Sequence, residues 1–210
     1  MIRLLLMRHG ETAWNGEGRL QGRLDIALSE RGREQARALA PVISSYAPGR
    51  VVTSSLRRTQ ETAEALGLRV DRTDPHLDEA HLGLWEGSHS AQLRAESPHE
   101  YQEWRAGLLR PPGGESFEEL TARVLEGVTR AVRETAADGH ASVLVLTHGG
   151  PVRALLQRVV GLDPALTVPA HPASLSILEV DEHQPLGQRG ACRLRLFNHA
   201  PSAPDAEPAD

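Results

Sequence analysis

The most informative absence from this chain is lysine, because all 23 basic residues are arginine. A Walker phosphate loop, a Schiff-base enzyme and a lysine general base all depend on the lysine amine, so these classes are excluded. Only one cysteine, Cys192, is present, which excludes an internal disulfide and a thiolate-rich zinc site. The Cys-x5-Arg nucleophile pattern fails as well, since Asn198 stands where its arginine would be.

Positive charge and long apolar runs are also scarce. The formal net charge is -5, whereas a nucleic-acid-binding protein normally has a basic surface, so we predict no nucleic-acid partner. No apolar run approaches the roughly 20 residues of a membrane helix, and a signal-peptide pattern is missing from the first residues. We therefore expect no membrane association and a cytoplasmic location. A chain of 210 residues is expected to form one domain.

Two predicted strands end in histidine and glycine. The first reads IRLLLM and stops at RHG, with His9 in the middle; the second, far along the chain, reads SVLVLTHGG and contains His148. Runs of this length and composition are typical of strands buried on both faces. Ligands of parallel α/β sheets bind beyond the carboxyl ends of the strands. If the two strands are neighbours, both imidazoles are expected within reach of one substrate atom.

Strand and helix signals alternate along most of the chain, which predicts an α/β protein with a mostly parallel sheet and right-handed crossovers. Ser29 is expected to cap one helix, and Ser54 or Ser55 another, after a strand at 51–53. Ser116 and Glu119 have the spacing of a capping box at the start of a long helix. Residues 173–180 and 192–197 alternate in polarity and predict two late, peripheral strands.

Residues 74–114 interrupt this alternation. They contain four of the ten histidines, two of the three tryptophans and the turn sequence PPGG. We interpret them as a cap of loops and short helices inserted over the site, within a single domain that spans 1–198. Residues 199–210 are poor in apolar side chains, so we predict a disordered tail.

The polar residues at the strand ends have the chemistry of phosphoryl transfer, which needs neutralised phosphate oxygens and an in-line nucleophile. Arg8 and Arg58 can offer bidentate forks, and a helix beginning near Gly149 can donate backbone N–H groups. Neighbouring guanidinium charges lower a histidine pKa, which would keep His9 unprotonated for attack. The same pattern places His148 opposite it.

The leaving oxygen of a phosphate ester needs a proton, and LDEAHLGLWEG holds the candidate acids. Glu79 is expected at the end of a short strand and before a glycine turn, which favours it as the general acid. On chemistry alone, Asp78 and Glu86 remain alternatives.

The ordered set RHGETAWN, GRLQG, SSLRRTQETA, LDEAHLGLWEG, PPGGES and THGG resembles the histidine phosphatase superfamily, in its phosphoglycerate mutase-like branch, over nearly all of the chain to about residue 198. The resemblance implies a three-layer α/β/α sandwich, a covalent phosphohistidine on His9 and a proton donor at Glu79. It implies no metal or organic cofactor, and it allows a homodimer. The other site residues that we predict, all in or beside the phosphate pocket, are Arg8, Arg58, His148, Thr12, Asn15, Gln21 and Gly149.

Within this family the chain resembles a phosphatase of small phosphorylated metabolites more than a mutase, because cofactor-dependent mutases carry a longer, lysine-bearing segment after the acid glutamate. The alternatives are a cofactor-dependent phosphoglycerate mutase and a silent module that binds a phosphorylated ligand; such a module would be expected to have lost His9 or Glu79. The histidines of 76–99 raise the question of a metal site, but the D-x-D pattern of aspartyl phosphatases is absent. A role for His81 or His89 in substrate contact stays open.

Overall fold

The computed structural model describes residues 1–200, and the predicted tail from residue 201 onward lies outside them. The final strand includes His199, so the predicted domain end at 198 falls inside a strand. The helices and strands, in chain order, are β1 (Ile2–Arg8), α1 (Ala13–Gly16), α2 (Glu30–Ser45), β2 (Arg50–Thr53), α3 (Arg57–Ala65), β3 (Arg72–Thr73), α4 (Ser90–Glu96), α5 (Pro98–Arg105), α6 (Phe117–Ala137), β4 (Ser142–Thr147), α7 (Gly149–Val160), β5 (Leu175–Val180) and β6 (Cys192–His199).

The strands form one mixed sheet in the order β3-β2-β4-β1-β5-β6, with apolar clusters on both faces. Alternate side chains of β1 point to opposite faces, so Leu4 and Leu6 pack with α6 and α7 whereas Leu5 and Met7 pack with α2 and α3. The result is a three-layer α/β/α sandwich, and the predicted fold class is confirmed. None of the helices in residues 1–200 has the length and apolarity of a membrane span.

The two strands that end in histidine are direct neighbours. β1 and β4 pair in parallel with Arg8 opposite Thr147, and the backbone N–H of His9 continues the ladder to the Thr147 carbonyl at 3.0 Å. Both histidines therefore leave the same edge of the sheet at the same level. This adjacency creates the site.

The prediction that β5 is peripheral is wrong. β5 pairs antiparallel with β1, from Ile2 opposite Val180 to Met7 opposite Leu175, and only β6 lies outside it. Alternation in a sequence reports which side chains are buried, but it does not report which strand is the neighbour. The parallel part of the sheet comprises β1 to β4.

Residues 74–114 contain two 3₁₀ turns, Pro75–Leu77 and Gly83–Trp85, together with α4 and α5. The segment directly before Glu79 is a 3₁₀ turn and not the end of a strand, contrary to the prediction, because Asp74 caps this turn by accepting the N–H of His76 and Pro75 lacks a backbone donor. A small apolar cluster joins this region to the loop after β1, and its buried members are Leu20, Leu82, Trp85, Tyr101 and Trp104.

The predicted serine cap of α3 is also wrong. The residue at the cap position is Leu56, and no side chain caps the helix. The hydroxyl of Ser54 accepts the Leu56 N–H at 3.1 Å, but it is directed mainly at the ring of His148. Ser54 is thus part of the site.

Candidate active site

His9 is held as a neutral imidazole with one free lone pair. Its ring is 1% exposed, and Nδ1 lies 2.6 Å from the Gly10 carbonyl oxygen. A carbonyl can only accept, so Nδ1 carries the proton and Nε2 keeps its lone pair. Burial lowers the pKa of His9 well below the ordinary value of 6.5, and the charges of Arg58 and Arg8 lower it further. A neutral Nε2 is the form in which a histidine attacks phosphorus.

His148 faces His9, with the two ring centroids 5.1 Å apart. Its Nδ1 accepts the Nε–H of Arg58 at 3.1 Å, which leaves the proton on Nε2 to be donated to the Ser54 hydroxyl at 2.7 Å. Burial also lowers the pKa of His148 well below 6.5, with the Arg58 charge as the next cause. The two histidines are therefore opposite tautomers, each fixed by its own partner.

Arg58 brings a fully buried positive charge between the histidines and the loop after β1. Its two terminal nitrogens donate to the carbonyls of Leu24 at 2.7 Å and Gly22 at 2.8 Å. Burial lowers the pKa of Arg58 to about 10, so the guanidinium stays charged near neutral pH. Arg57, its neighbour in the sequence, is exposed and pairs with Glu61 instead.

Arg8, the second predicted cation, is buried at the end of β1. Its Nη1 donates to the Ala170 carbonyl at 2.6 Å. A Cβ built on Gly149 would lie 3.5 Å from the Arg8 guanidinium carbon, so the first turn of α7 passes beside this side chain. Arg8 and the N-terminus of α7 thus bring a positive charge and backbone donors to one place.

Glu79 reaches the same helix N-terminus. Its Oε1 accepts the N–H groups of Ala80 at 2.8 Å and Gly150 at 3.1 Å. The close approach requires a glycine, because a Cβ at position 150 would stand 2.4 Å from Oε1. The carboxylate is therefore held beside Gly149 and Arg8.

The other carboxylates of this segment are occupied elsewhere. Asp78 accepts the N–H and the hydroxyl of Ser55, each at 2.8 Å. Glu86 accepts the N–H groups of Arg23 at 3.0 Å and Leu82 at 3.1 Å. Glu79 is thus favoured over both alternatives by position.

Thr12 and Asn15 form a capping box at the start of α1, in which the amide oxygen of Asn15 accepts the Thr12 N–H at 3.0 Å. This oxygen also lies 3.1 Å from the Thr12 hydroxyl, so that hydroxyl has a structural partner. Among the buried atoms that have no hydrogen-bond partner within residues 1–200 are two in the loop after β1, Nδ2 of Asn15 and Oε1 of Gln21. Unsatisfied buried polar groups are rare and often belong to ligand sites.

A cleft-like cavity lies beside these residues, and its outline encloses about 780 Å³ when the open solvent at its mouth is included. Arg8, Gln21, Glu79 and Gly149 line one end of it. His9, Arg58 and His148 are at most 1% exposed and do not form its wall. The structure thus brings the predicted residues together in two parts, a buried histidine-arginine centre and a cavity end with the carboxylate and the helix N-terminus.

The histidines of 76–99 do not converge. His76 contacts Asp74, His81 lies 3.9 Å from Glu86, and His99 lies 3.5 Å from Glu103. The ring of His89 lies 3.2 Å from the Glu17 carbonyl. Within residues 1–200, no group of three or more histidine, cysteine, aspartate or glutamate side chains is arranged to hold a metal ion.

Several site groups had no role in the sequence-based prediction. Ser54 fixes the tautomer of His148, and the carbonyls of Gly22, Leu24 and Ala170 bind the two arginines. Ser54 lies in the quoted segment SSLRR, so its position beside Arg58 was a usable signal. Backbone carbonyls carry no residue signature, and nothing in the sequence identified them.

Comparison with known proteins agrees with this geometry. The model of the histidine phosphatase superfamily (branch 1) matches residues 4–191. The chain is 41% identical over 162 residues to a glucosyl-3-phosphoglycerate phosphatase of Mycobacterium tuberculosis, covering 73% of each chain. It is 34% identical over 172 residues to a 2,3-bisphosphoglycerate-dependent phosphoglycerate mutase of Gloeobacter violaceus, covering 78% of each. A solved structure of a mycobacterial glucosyl-3-phosphoglycerate phosphatase in complex with VO3 superposes with a TM-score of 0.83 at 35% identity, covering 95% of this chain and all of that one.

Proposed function

The chain belongs to the histidine phosphatase superfamily and is a phosphatase, and from this premise we propose that it hydrolyses small phosphomonoesters through a phosphohistidine on His9. The observation that carries the proposal is the state of His9. Its Nδ1–H is committed to the Gly10 carbonyl, and its low pKa leaves Nε2 unprotonated beside two guanidinium groups. A nucleophile and the positive charge that attracts its anionic substrate are thus combined.

In the first step, Nε2 of His9 attacks phosphorus, a P–N bond forms and the P–O bond to the alcohol breaks. The negative charge of the transferring group is neutralised by Arg8 and Arg58 and by N–H groups at the start of α7. Asn15 Nδ2, a buried donor with no partner in residues 1–200, supports a further contact to a phosphate oxygen. Gln21, at the cavity end, supports another.

Glu79 supplies the proton that the leaving alcohol needs. It enters the first step protonated and gives its proton to the ester oxygen as the P–O bond breaks. In the second step the carboxylate takes a proton from water, the water oxygen attacks phosphorus, and the P–N bond breaks to release inorganic phosphate and free His9. Its position beside Gly149 and Arg8 supports this assignment.

The names of the relatives indicate a substrate among the small phosphorylated metabolites. The mycobacterial relatives are named for a phosphoglycerate ester. Relatives named as mutases are also similar, so mutase activity is the second candidate. The single buried cysteine, Cys192, needs no oxidising compartment, and this supports the proposed cytoplasmic location.

The decisive experiment measures phosphate release from p-nitrophenyl phosphate, 3-phosphoglycerate and a sugar phosphate in the presence of EDTA. We expect activity in the wild type and its loss in His9→Ala, with circular dichroism to verify that the variant is folded. Rapid acid-free quenching with labelled ester should trap a phosphoenzyme that is labile to acid.

Four outcomes would refute parts of the proposal. Activity abolished by EDTA, or retained by folded His9→Ala, would refute the histidine mechanism. An acid-stable phosphoenzyme would place the phosphoryl group on a residue other than His9. Isomerisation of 3-phosphoglycerate without phosphate release would establish the mutase instead.

A further inference from the structure

Beyond its phosphate end, the cavity opens into a compartment with an apolar wall. Aliphatic and aromatic side chains from the loop after β1, the cap, α7, the segment between α7 and β5, and β6 line it. They are Leu20, Ala80, Leu82, Trp104, Val152, Leu156, Leu162, Val168, Pro169, Ala170 and Phe197. The proposed phosphoryl-transfer steps use none of these side chains, so the compartment is available to the alcohol part of the substrate.

The two arginines in this wall hold their guanidinium groups against aromatic rings. Arg153 lies 5.7 Å from the ring of Trp104 and 5.3 Å from that of Phe117, and it donates to the Arg105 carbonyl at 3.0 Å. The guanidinium carbon of Arg105 also lies 6.0 Å from the centre of the Trp104 ring. Both guanidinium groups thus form part of an aromatic-lined edge.

An apolar wall discriminates between alcohols by their hydration. Each hydroxyl of a sugar loses water on entering it and, apart from the two arginines and Thr167, meets apolar side chains there, which weakens binding. Each methylene that leaves water for such a wall strengthens binding by about fourfold. The compartment therefore favours a hydrocarbon group over a polyhydroxylated one.

We propose that the preferred substrate of this chain is a phosphomonoester whose alcohol carries an apolar alkyl or aryl group of several carbons, and not a sugar phosphate. This inference rests on the proposed function, since it assumes that phosphate is released from an ester bound at Glu79. It separates this chain in specificity from relatives named for a glucosylated phosphoglycerate.

The test compares kcat/KM for ethyl, butyl and hexyl phosphate with that for glucose 6-phosphate. The leaving alcohols of the alkyl series have nearly equal acidity, so any trend reports binding in the compartment. We expect kcat/KM to rise by about sixteenfold for each two carbons, with the sugar phosphate below the hexyl ester.

Two exposed residues allow a matched control. Val168 lines the cavity and is 48% exposed, whereas Leu166 is 83% exposed and not part of the wall. Val168→Asn should flatten the chain-length trend, and Leu166→Asn should leave it unchanged. A flat trend in the wild type, a preference for the sugar phosphate, or a trend insensitive to Val168→Asn would overturn the inference. Inactivity on all esters, p-nitrophenyl phosphate included, would instead refute the proposed function.

A second inference is carried independently by hydrogen bonds behind Glu79. Residues 78–82 belong to no helix or strand. Arg123, on α6, donates through Nη1 to the carbonyls of His76 at 2.9 Å and Asp78 at 2.7 Å, and through Nη2 to the carbonyl of Glu79 at 2.9 Å. One guanidinium thus binds three carbonyls of the segment that carries the proposed acid.

Glu115 completes this arrangement. It accepts Nε and Nη2 of Arg123 at 3.0 and 2.6 Å, and its Oε1 also accepts the N–H of His81 at 2.8 Å. The pair is only 16% and 12% exposed, so water competes weakly for these bonds. Backbone groups before and after Glu79 are thus bound to one ion pair.

We infer that Arg123, paired with Glu115, is a positioning residue for Glu79. The inference rests on the proposed role of Glu79 as the acid. Loss of the Arg123–Glu115 ion pair should therefore slow the first step for esters that need a proton on the leaving oxygen and leave that step unchanged for esters that do not. The nitrophenolate of p-nitrophenyl phosphate leaves with little protonation, whereas the alkoxide of butyl phosphate requires it.

We expect Arg123→Met to reduce kcat/KM, which reports the steps up to loss of the alcohol, at least tenfold more on butyl phosphate than on p-nitrophenyl phosphate, and Glu115→Gln to show a smaller loss in the same direction. Arg133→Met is the matched control, because Arg133 is another α6 arginine and is exposed. Glu79→Gln, measured in parallel, must show the same selectivity; if it does not, the proposed acid is wrong. If Glu79→Gln does show this selectivity, an equal loss of kcat/KM on both esters in folded Arg123→Met would overturn the positioning role of Arg123. If Arg123→Met does not fold, equal losses in Glu115→Gln would do so.

Discussion

Substitution by alanine is expected to affect activity differently at the two adjacent glycines at the start of α7. A Cβ on Gly150 would stand 2.4 Å from Oε1 of Glu79, whereas a Cβ on Gly149 would approach no atom closer than the Arg8 guanidinium carbon at 3.5 Å. Both residues are helical, so alanine at either position should raise the helix propensity. Gly150→Ala should nevertheless lose activity, and Gly149→Ala should keep it.

The size of the effect follows from the contact. A separation of 2.4 Å is about 1 Å short of van der Waals contact, so the Glu79 carboxylate must move and gives up its bond to the Gly150 N–H. A displacement of about 1 Å in a reacting group typically lowers the rate by about 10²-fold, and complete loss of general acid catalysis by about 10² to 10⁴-fold. We expect Gly150→Ala to fall at the lower end of that range. Gly149→Ala should stay within about threefold of the wild type.

The assay measures kcat/KM, which reports the first step, on butyl phosphate and p-nitrophenyl phosphate, together with the urea midpoint of unfolding. For Gly150→Ala we expect a selective loss on the alkyl ester with a stability equal to or up to about 1 kcal/mol above that of the wild type. The combination of greater stability and lower activity excludes misfolding as the cause. Equal activity of the two alanine variants would refute the assignment of Glu79 to the helix N-terminus.

Three further predictions concern the buried histidine centre. Because folding lowers the pKa of both His9 and His148, unfolding takes up protons below about pH 6.5; stability is complete above that pH and falls below it by about 1.4 kcal/mol per pH unit for each histidine. Urea unfolding at about pH 7.5 and about pH 5.5 measures this change of the free energy of unfolding with pH. His148→Asn should make the change smaller, and an unchanged pH dependence would contradict the lowered pKa of the buried His148. In Arg58→Met, the removed positive charge should raise the pKa of His9 and move the acid limb of the kcat/KM profile to higher pH, and a shift to lower pH would contradict it. Ser54→Ala leaves the Nε2–H of His148 without its acceptor and should cost about 1–3 kcal/mol in urea unfolding; full stability would mean that the ring finds another partner.

Much of the fold and the centre of the site could be predicted because they follow from strong local signals. A buried strand followed directly by histidine and glycine occurs twice, and parallel strands bring their carboxyl ends to one edge. Arg58 was predicted in the phosphate pocket, and the structure places its guanidinium against His148. The assignment of catalytic roles remains a proposal.

Other features could not be predicted because their cause is tertiary. The position of β5 beside β1 depends on a pairing that alternation does not encode, and the segment before Glu79 is a 3₁₀ turn because Asp74 caps it. Arg123 resembles any other arginine on an amphipathic helix until its three carbonyl partners are known. The spacing of Thr12 and Asn15, by contrast, is that of a helix cap, so their structural role is visible in the sequence.

The central position of β1 has a consequence for the synthesis of the protein. Of the six described strands, β1 is the earliest to be synthesised, yet its two neighbours are β4, at Ser142–Thr147, and β5, at Leu175–Val180. At translation rates of about 5–20 residues per second, β1 waits on the order of ten seconds for either partner. During that interval an apolar strand with unpaired edges is open to other nascent chains or to a chaperone. Yield in the cell should therefore depend on elongation rate and on chaperone supply, even for variants whose folded state is unchanged.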